Sequence, residues 1–241
     1  MPGAYRRLIH PGCTTPGVFP TLEGMELLSH LLASDPASPR LTVYNENTGA
    51  RLDFSAITLD NWASKVGNML LEELDLDEDS TVAVDLPVSW QAAVITLGAY
   101  AADVRVTFGG GDADVVFTSR DRFAANQGTG DIVLVSEDPF GRGVVESGGE
   151  LPRGAIDFGP TVRFYGDQFF QPTRTLPEIV GDTEVPPGTR LLSTGWTDLD
   201  SFTAHVLAPL AMGGSAVVVA GMVDTQRLDQ IATAEKVTAR V

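Results

Sequence analysis

Residues 80–118 read STVAVDLPVSWQAAVITLGAYAADVRVTFGGGDADVVFT, and this stretch decides the fold. It contains three runs of buried-type strand sequence, Thr81–Leu86, Val104–Phe108 and Ala113–Thr118. A helix rich in alanine, opened by Pro87 and Ser89 and running through Asp103, separates the first two runs. Its small side chains would let it lie close on a sheet. Strands that alternate with helices predict an α/β protein with parallel-rich sheet layers covered by helices on both faces.

The same alternation extends in both directions along the chain. Upstream, the predicted elements are a helix that begins at Thr21 and ends at Pro36, a hairpin around Asn45–Gly49, and an amphipathic helix between Leu59 and Leu74. Downstream, they are strands at Asp131–Val135, Thr189–Ser193 and Ser215–Ala220, a helix at Asp198–Met212 kinked at Pro209, and a helix at Thr225–Ala234. The β-rich residues Lys236–Val241 are expected to enter another strand, at which the chain stops.

These patterns divide the chain into four parts. Residues 1–20 contain four prolines and are expected to form a loosely ordered arm. Residues 21–136 form a first α/β subdomain. Residues 137–188 contain seven prolines and are expected to be a Pro/Gly-rich connection with one short helix near Pro160–Tyr165. Residues 189–241 form a second strand–helix unit of the same overall domain.

Composition limits the partners and the location of the protein. The formal net charge is −16, from 32 acidic and 16 basic residues. Such a field repels phosphate backbones and anionic lipid, so neither nucleic acid nor a membrane surface is an expected partner. The single cysteine cannot form an intramolecular disulfide, and no apolar run of signal-peptide length follows the first residues. Both features favour a cytoplasmic location.

The sequence offers no group of residues typical of a nucleophilic or metal site. A serine on a sharp turn needs small neighbours on both sides, and Val217 breaks that pattern around Ser215. Zinc needs clustered thiolates or imidazoles, whereas the chain has only Cys13 and three scattered histidines. We therefore expect neither a catalytic triad nor a metal site.

Two glycine-containing segments bear on phosphate binding. Gly109–Gly111 stands between two strand-like runs and predicts a tight loop. The second segment stands after a strand and before a helix, where backbone N–H groups can bind phosphate, and consists of Ser193, Thr194 and Gly195. The carboxylates of Asp198 and Asp200 would repel a phosphate there. The alternative is a strand end followed by a helix that Thr197 or Asp198 caps.

A specific order of segments resembles the opening of the adenylate-forming (AMP-binding) superfamily, which includes acyl-CoA synthetases, adenylation domains and luciferases. The first match runs from RLDFS at residues 51–55, through a helix with Trp62 and Asn68, to STVAVDLP at residues 80–87. The second runs from RLLST at residues 190–194 to HVLAPLAMGGSAVVV at residues 205–219. Together the two matches cover most of residues 41–241.

The resemblance implies a fold like the N-terminal part of such an enzyme, with ATP or AMP as possible ligands. It places the beginning of an acyl pocket near Trp196, Thr197 and Asp198. It also implies a Ser/Thr/Gly-rich phosphate-binding loop that ends in Pro-Lys within residues 137–188, but these residues contain no lysine. The family's ribose-binding aspartate and its C-terminal domain with the catalytic lysine would lie beyond Val241. The chain therefore resembles a truncated branch of the superfamily.

Three functions follow as hypotheses. The first is a binding or scaffold protein that does not catalyse adenylation on its own, because charge on a transferring phosphoryl group must be stabilised by cations or aligned N–H donors. The alternative is an AMP-forming acid ligase activity that a partner chain completes. A third is a homodimer that pairs through the sheet edge expected at Val237–Val241.

Overall fold

A computed structural model describes residues 26–128 and 130–241, so the predicted arm and the predicted N-cap at Thr21 lie outside the described residues. The helices are α1 Ser29–Ser34, α2 Ala56–Glu72, α3 Trp90–Ala101, α4 Phe158–Phe164, α5 Leu176–Val180, α6 Leu199–Phe202, α7 Ala208–Ala211 and α8 Thr225–Ala234. The strands are β1 Pro39–Asn45, β2 Ala50–Ser55, β3 Thr81–Asp85, β4 Arg105–Phe108, β5 Val115–Thr118, β6 Asp131–Leu134, β7 Ala155–Asp157, β8 Arg190–Ser193, β9 Ser215–Ala220 and β10 Ala239–Arg240. A 3₁₀ turn at Phe123–Asn126 and a π-helical turn at Thr203–Leu207 complete the described elements.

The strands form two five-stranded sheets, which confirms the predicted α/β class. The first sheet has the order β10-β8-β9-β1-β2, and within it only the β1–β2 hairpin is antiparallel. The second sheet has the order β4-β3-β5-β6-β7 and is parallel throughout. The first sheet therefore joins strands from the predicted first subdomain with strands from the predicted second unit. The strand predicted within Lys236–Val241 is present as the two residues of β10.

The strand order of the second sheet reverses next to β3. The chain places β4 on one side of β3 and β5 on the other, so a crevice opens between the carboxyl ends of β3 and β5. Residues 109–114 make the β4-to-β5 crossover without a helix, as the Gly109–Gly111 segment predicts. The crossover must return from the end of β4 to the start of β5, a distance of about one strand length. Both strands have four residues, and a strand of that length is about 13 Å long. Six residues suffice, because six extended residues span up to about 20 Å.

Helix α3 packs on helix α2 as well as on its sheet, which the small-residue pattern alone did not predict. At Gly98, an added Cβ atom would lie 2.4 Å from Cβ of Val66 and 3.0 Å from the backbone oxygen of Ala63. Both helices belong to one continuous apolar core that includes residues from both sheets. The small residues of α3 therefore let two helices approach closely at the centre of the molecule.

We expect Gly98→Ala to destabilise the protein. Overpacking in a core costs about 1–3 kcal/mol, and the methyl group must displace Val66 or the α2 backbone. Alanine is favoured over glycine by roughly 1 kcal/mol in a helix, so the expected net loss in unfolding free energy is about 0–2 kcal/mol. Urea unfolding measures it. Gly111→Ala, where an added Cβ meets no atom within 4 Å, is the matched control, and a Gly98→Ala protein more stable than the parent would contradict the packing.

Two segments differ from the sequence-based predictions. Residues 137–188 contain β7 and α5 besides the predicted helix, so this connection is more ordered than expected. A capping box of Thr175 and Glu178 starts α5, and Leu176 is the buried residue of this helix. In the helix predicted over Asp198–Met212, a π-helical turn at Thr203–Leu207 precedes Pro209 instead of a simple kink. A π turn adds a residue to the helix, which relieves the clash between a proline ring and the preceding turn.

A buried ionic cluster ties α8 to the first sheet. The Glu235 side chain is 6% exposed and accepts hydrogen bonds from Tyr44 Oη at 2.7 Å, Arg51 Nε at 2.8 Å and Arg190 Nη2 at 2.5 Å. Burial by itself would raise the pKa of Glu235, but the hydrogen bonds from Arg51, Tyr44 and Arg190 outweigh it and lower the pKa to about 2. The carboxylate therefore stays charged and connects three strands with one helix.

Candidate functional site

A cavity of about 450 Å³ lies where the carboxyl ends of strands from both sheets meet. The first sheet contributes the β1–β2 hairpin and the end of β9. The second contributes the loops that follow β3, β5 and β6, together with the first turn of α3. In open α/β sheets, ligands bind outside the carboxyl ends of the strands at the point where strand order reverses. The cavity occupies that position in the second sheet, and its volume falls in the range of small-molecule sites.

The cavity has rigid apolar walls. They include Val43 and Leu52 from the hairpin, Leu86 and Val88 from the loop after β3, and Trp90 from α3. Trp90 is 3% exposed, and its ring stacks on Phe54 at 5.1 Å and tilts against Trp62 at 4.9 Å between ring centroids. Aromatic contacts at these distances favour a fixed ring orientation. This wall is therefore formed before any ligand arrives.

The first turn of α3 also fixes the loop after β6. The Ser89 side chain caps the helix by accepting a hydrogen bond from the backbone N–H of Ala92 at 3.2 Å. The Gln91 amide nitrogen donates to the backbone oxygens of Ser136 at 3.2 Å and Asp138 at 3.0 Å. A hydrogen bond from Arg142 lowers the pKa of Asp138. The Gln91 side chain thus holds the first turn of α3 to the loop after β6.

A polar cluster lies at the crevice between β3 and β5. Arg122 lines the cavity, and its Nη1 donates to Oδ1 of Asp85 at 2.8 Å. The other carboxylate oxygen of Asp85 accepts from Nδ2 of Asn126 at 2.7 Å, and Asn126 also donates to Thr118 Oγ1 at 3.1 Å. A Cβ at position 110 would lie 2.6 Å from Oδ1 of Asn126, so a larger residue there would displace the Asn126 side chain. The short crossover and this cluster therefore depend on each other.

The charged groups around the cavity are few. Of the described residues that line it, Arg122 is the cation and Glu137 is the carboxylate. Within residues 26–128 and 130–241, the exposed Glu137 side chain has no hydrogen-bond or ion-pair partner. An adjoining cavity of about 460 Å³ shares Ser119 and Glu137 and continues past Arg120 and Glu150. The two cavities follow the carboxyl ends of β5 and β6.

The six residues proposed from the sequence lie beside this cavity and do not line it. They are Ser193, Thr194, Gly195, Trp196, Thr197 and Asp198. Gly195 has φ +103 and packs against Val88, which lines the cavity. Trp196 is 8% exposed and meets Phe202 edge to face at 4.8 Å. The structure thus places the Gly195 backbone behind the cavity wall and the Trp196 ring in the core.

The remaining groups of this segment serve the start of α6. Asp198 caps the helix by accepting from the Ser201 backbone N–H at 2.8 Å, and the Ser201 hydroxyl lowers the pKa of Asp198. His205 Nδ1 lies 2.6 Å from the Gly195 carbonyl oxygen, to which it donates. A phosphate-binding role for Ser193, Thr194 and Gly195, and an acyl-pocket role for Trp196, Thr197 and Asp198, stay predictions.

Sequence reasoning missed Asp85, Gln91 and Arg122. Asp85 is the last residue of β3 and precedes the Pro87–Ser89 turn, a position at the carboxyl end of a parallel strand where site residues concentrate. That signal was available. Arg122 and Gln91 carry no such signal, because their roles depend on which loops the sheet order brings together.

Two further findings concern ions and membranes. The described residues contain no group of three or more His, Cys, Asp or Glu side chains placed to hold a metal ion together. Among the helices of the described residues, none combines the length and the apolar character that crossing a membrane requires.

The fold, with its two mostly parallel five-stranded sheets, resembles that of the N-terminal domain of adenylate-forming enzymes. It is similar to the Brucella canis acyl-CoA synthetase, with a TM-score of 0.71 and 14% identity over 90% of this chain and 47% of that chain. Acetoacetyl-CoA synthetase from Streptomyces lividans gives a TM-score of 0.66 and 14% identity, over 90% and 42% of the two chains. The matched region covers less than half of each of these two synthetases, and identities at this level establish the fold alone.

The chain belongs to the TIGR03089 family. It is 34% identical over 242 residues to the TIGR03089 family protein of Mycobacterium tuberculosis (strain ATCC 25618 / H37Rv), and the match covers 91% of this chain and 98% of that protein. No family model matches the chain.

Proposed function

We propose that the chain is a binding protein, built on the N-terminal fold of adenylate-forming enzymes, that takes a small and largely apolar molecule in the 450 Å³ cavity and does not adenylate on its own. The observation that carries the proposal is the cavity itself. It stands at the reversal point of the second sheet, and the Trp90 ring in its wall is already packed against Phe54 and Trp62. A preformed apolar wall lets a ligand bind without first ordering the protein.

The distribution of cations argues for binding rather than adenylation. Phosphoryl transfer is catalysed largely by cations and aligned N–H donors around the transferring group. The chain has two lysines, Lys65 and Lys236. Neither lines either of the two cavities, and Lys65 donates to the backbone oxygen of Tyr165 at 2.8 Å. Arg122 is already paired with Asp85. Arg120, which lines the adjoining cavity, donates to the backbone oxygen of Glu150. Among the described residues that line the 450 Å³ cavity, no uncommitted cation is available to a triphosphate.

The test uses the uncharged fluorescent probe N-phenyl-1-naphthylamine. We expect saturable binding by the wild-type chain and a loss of affinity of at least about tenfold in Ala50→Phe, because a phenyl ring at this lining position occupies part of the cavity. Ala50 is the first residue of β2, an edge strand. Fluorescence titration measures the affinity.

Ala155→Phe is the matched control, since Ala155 is the first residue of β7, an edge strand of the second sheet, and lines neither cavity. It should bind the probe as the wild type does. Equal affinities in all three proteins would place the probe elsewhere and remove the cavity from the proposal. Release of pyrophosphate from ATP in the presence of a carboxylic acid would contradict the non-catalytic part of it and favour a ligase-like activity.

A further inference from the structure

We infer that Asp85 determines the charge selectivity of the cavity: by pairing with Arg122, it makes the site accept uncharged molecules and reject carboxylates, sulfonates and phosphates. This inference rests on the proposed function and adds to it the class of ligand. Asp85 acts as a positioning residue, because Arg122 lines the cavity and Asp85 does not.

The Asp85 carboxylate is held in place from two sides. It ends β3, and its side chain is 13% exposed, against 46% for that of Arg122. One oxygen accepts from Arg122 at 2.8 Å and the other from Asn126 at 2.7 Å. Asn126 is itself 1% exposed and donates to Thr118 in the adjacent strand β5. The carboxylate therefore cannot turn away from Arg122 without breaking contacts in the crevice.

This arrangement removes the positive charge that an anionic ligand would need. Arg122 is the one cation among the described residues that line the cavity, and its charge is compensated at 2.8 Å. The carboxylate of Glu137 stands at the same cavity without a partner in the described part of the chain. An anion that entered would compete with Asp85 for Arg122 and would also meet Glu137. Placing like charges against a wrong ligand is a recognised way to achieve specificity.

Asp85→Asn tests the inference because the amide is nearly isosteric and can still accept a hydrogen bond from Asn126. We compare N-phenyl-1-naphthylamine with its sulfonated relative, 8-anilinonaphthalene-1-sulfonate, in fluorescence titrations of the full chain. Freeing Arg122 should raise affinity for the sulfonate by about tenfold or more and leave affinity for the uncharged probe within about twofold. Added salt should reduce the gain, since Arg122 is partly exposed.

Three control variants separate charge selectivity from a general structural effect. Asp112→Asn makes the same change of charge at an exposed loop position that lines neither cavity, and it should leave the preference of the wild type unchanged. The double variant Asp85→Asn, Arg122→Gln should lose the gained sulfonate affinity, because the cation that supplies it is gone. Ala50→Phe in the Asp85→Asn background should lose it too if the sulfonate enters the cavity.

The outcomes distinguish this inference from the proposed function. If the wild type does not bind the uncharged probe, the proposed function fails. If the wild type binds it but Asp85→Asn gains no affinity for the sulfonate, the cavity stands and the role of Asp85 is wrong. An equal gain in Asp112→Asn, or a gain that persists without Arg122, would also overturn the inference, because overall charge or partial unfolding would then explain it.

Discussion

The Glu235→Ala variant is expected to lose about 3–5 kcal/mol of unfolding free energy, the cost of removing one partner from a buried ion pair. Glu235 accepts from Tyr44, Arg51 and Arg190, and its side chain is 6% exposed. Without it, the Arg190 guanidinium, 18% exposed, loses its carboxylate partner. Urea unfolding followed by circular dichroism measures the loss.

Asp229→Ala serves as the control for this prediction. It removes an ion pair with Arg240 that also joins α8 to the end of the chain, but the two side chains are 59% and 50% exposed. Exposed pairs contribute roughly 0–1 kcal/mol. If the Glu235 and Asp229 variants lost the same small amount, the cluster around Glu235 would be no more than a surface feature.

The Glu235 cluster also gives a pH dependence of defined sign. The folded-state pKa of Glu235 is about 2, below its usual 4.5. A lowered carboxyl pKa stabilises the folded state above the unfolded-state pKa, and the stabilisation is lost as the pH falls through the folded-state pKa. The stability difference between the wild type and Glu235→Gln should therefore be largest above pH 4.5 and shrink as the pH falls toward 2. A difference that stays constant over this range would contradict the assignment.

The Phe117→Ala variant is expected to lose about 3–5 kcal/mol, the usual range for truncating a fully buried phenylalanine. Phe117 lies at the centre of β5, is fully buried, and meets Phe158 of α4 edge to face at 6.0 Å between centroids. Truncation leaves a cavity between the second sheet and α4, next to Thr118 of the polar cluster. Thermal and urea unfolding measure the effect.

Phe164→Ala makes the same chemical change at the end of α4, where the side chain is 85% exposed. It should change stability by no more than about 0.5 kcal/mol. A large loss in Phe164→Ala would show that this exposed ring is covered in solution, for example by another copy of the chain. A small loss in Phe117→Ala would show that the second sheet repacks around the missing ring.

Local sequence patterns predicted most of the strands and turns of the two sheets. The Asn45–Gly49 turn was visible because asparagine and glycine favour tight turns, and the Asn45 side chain indeed accepts from the backbone N–H of Asn47 at 3.0 Å. The loop at Gly109–Gly111 was visible for the same reason. By contrast, β7 was missed because a three-residue strand between prolines and glycines has too little periodicity to detect.

Some residues near the candidate site are likewise marked by a local sequence pattern, and others are not. The loop of Ser193, Thr194 and Gly195 was predicted as a candidate because glycine between a strand and a helix is a local pattern. The structure places Gly195 of this loop behind Val88. Asp85 and Arg122, separated by 37 positions along the chain, meet only because β5 lies beside β3. No local pattern predicts such a pair.

The sequence by itself determined the class of the fold, the order of most of its strands and helices along the chain, and the acidic character that disfavours anionic partners. Those properties depend on residue periodicity, turn residues and net charge, all of which are local or additive. The tertiary structure alone decided which strands are neighbours, and thereby the cavity, the pairing of Asp85 with Arg122 and the burial of Glu235. These depend on contacts between distant residues, whose energies exist only once the chain has folded.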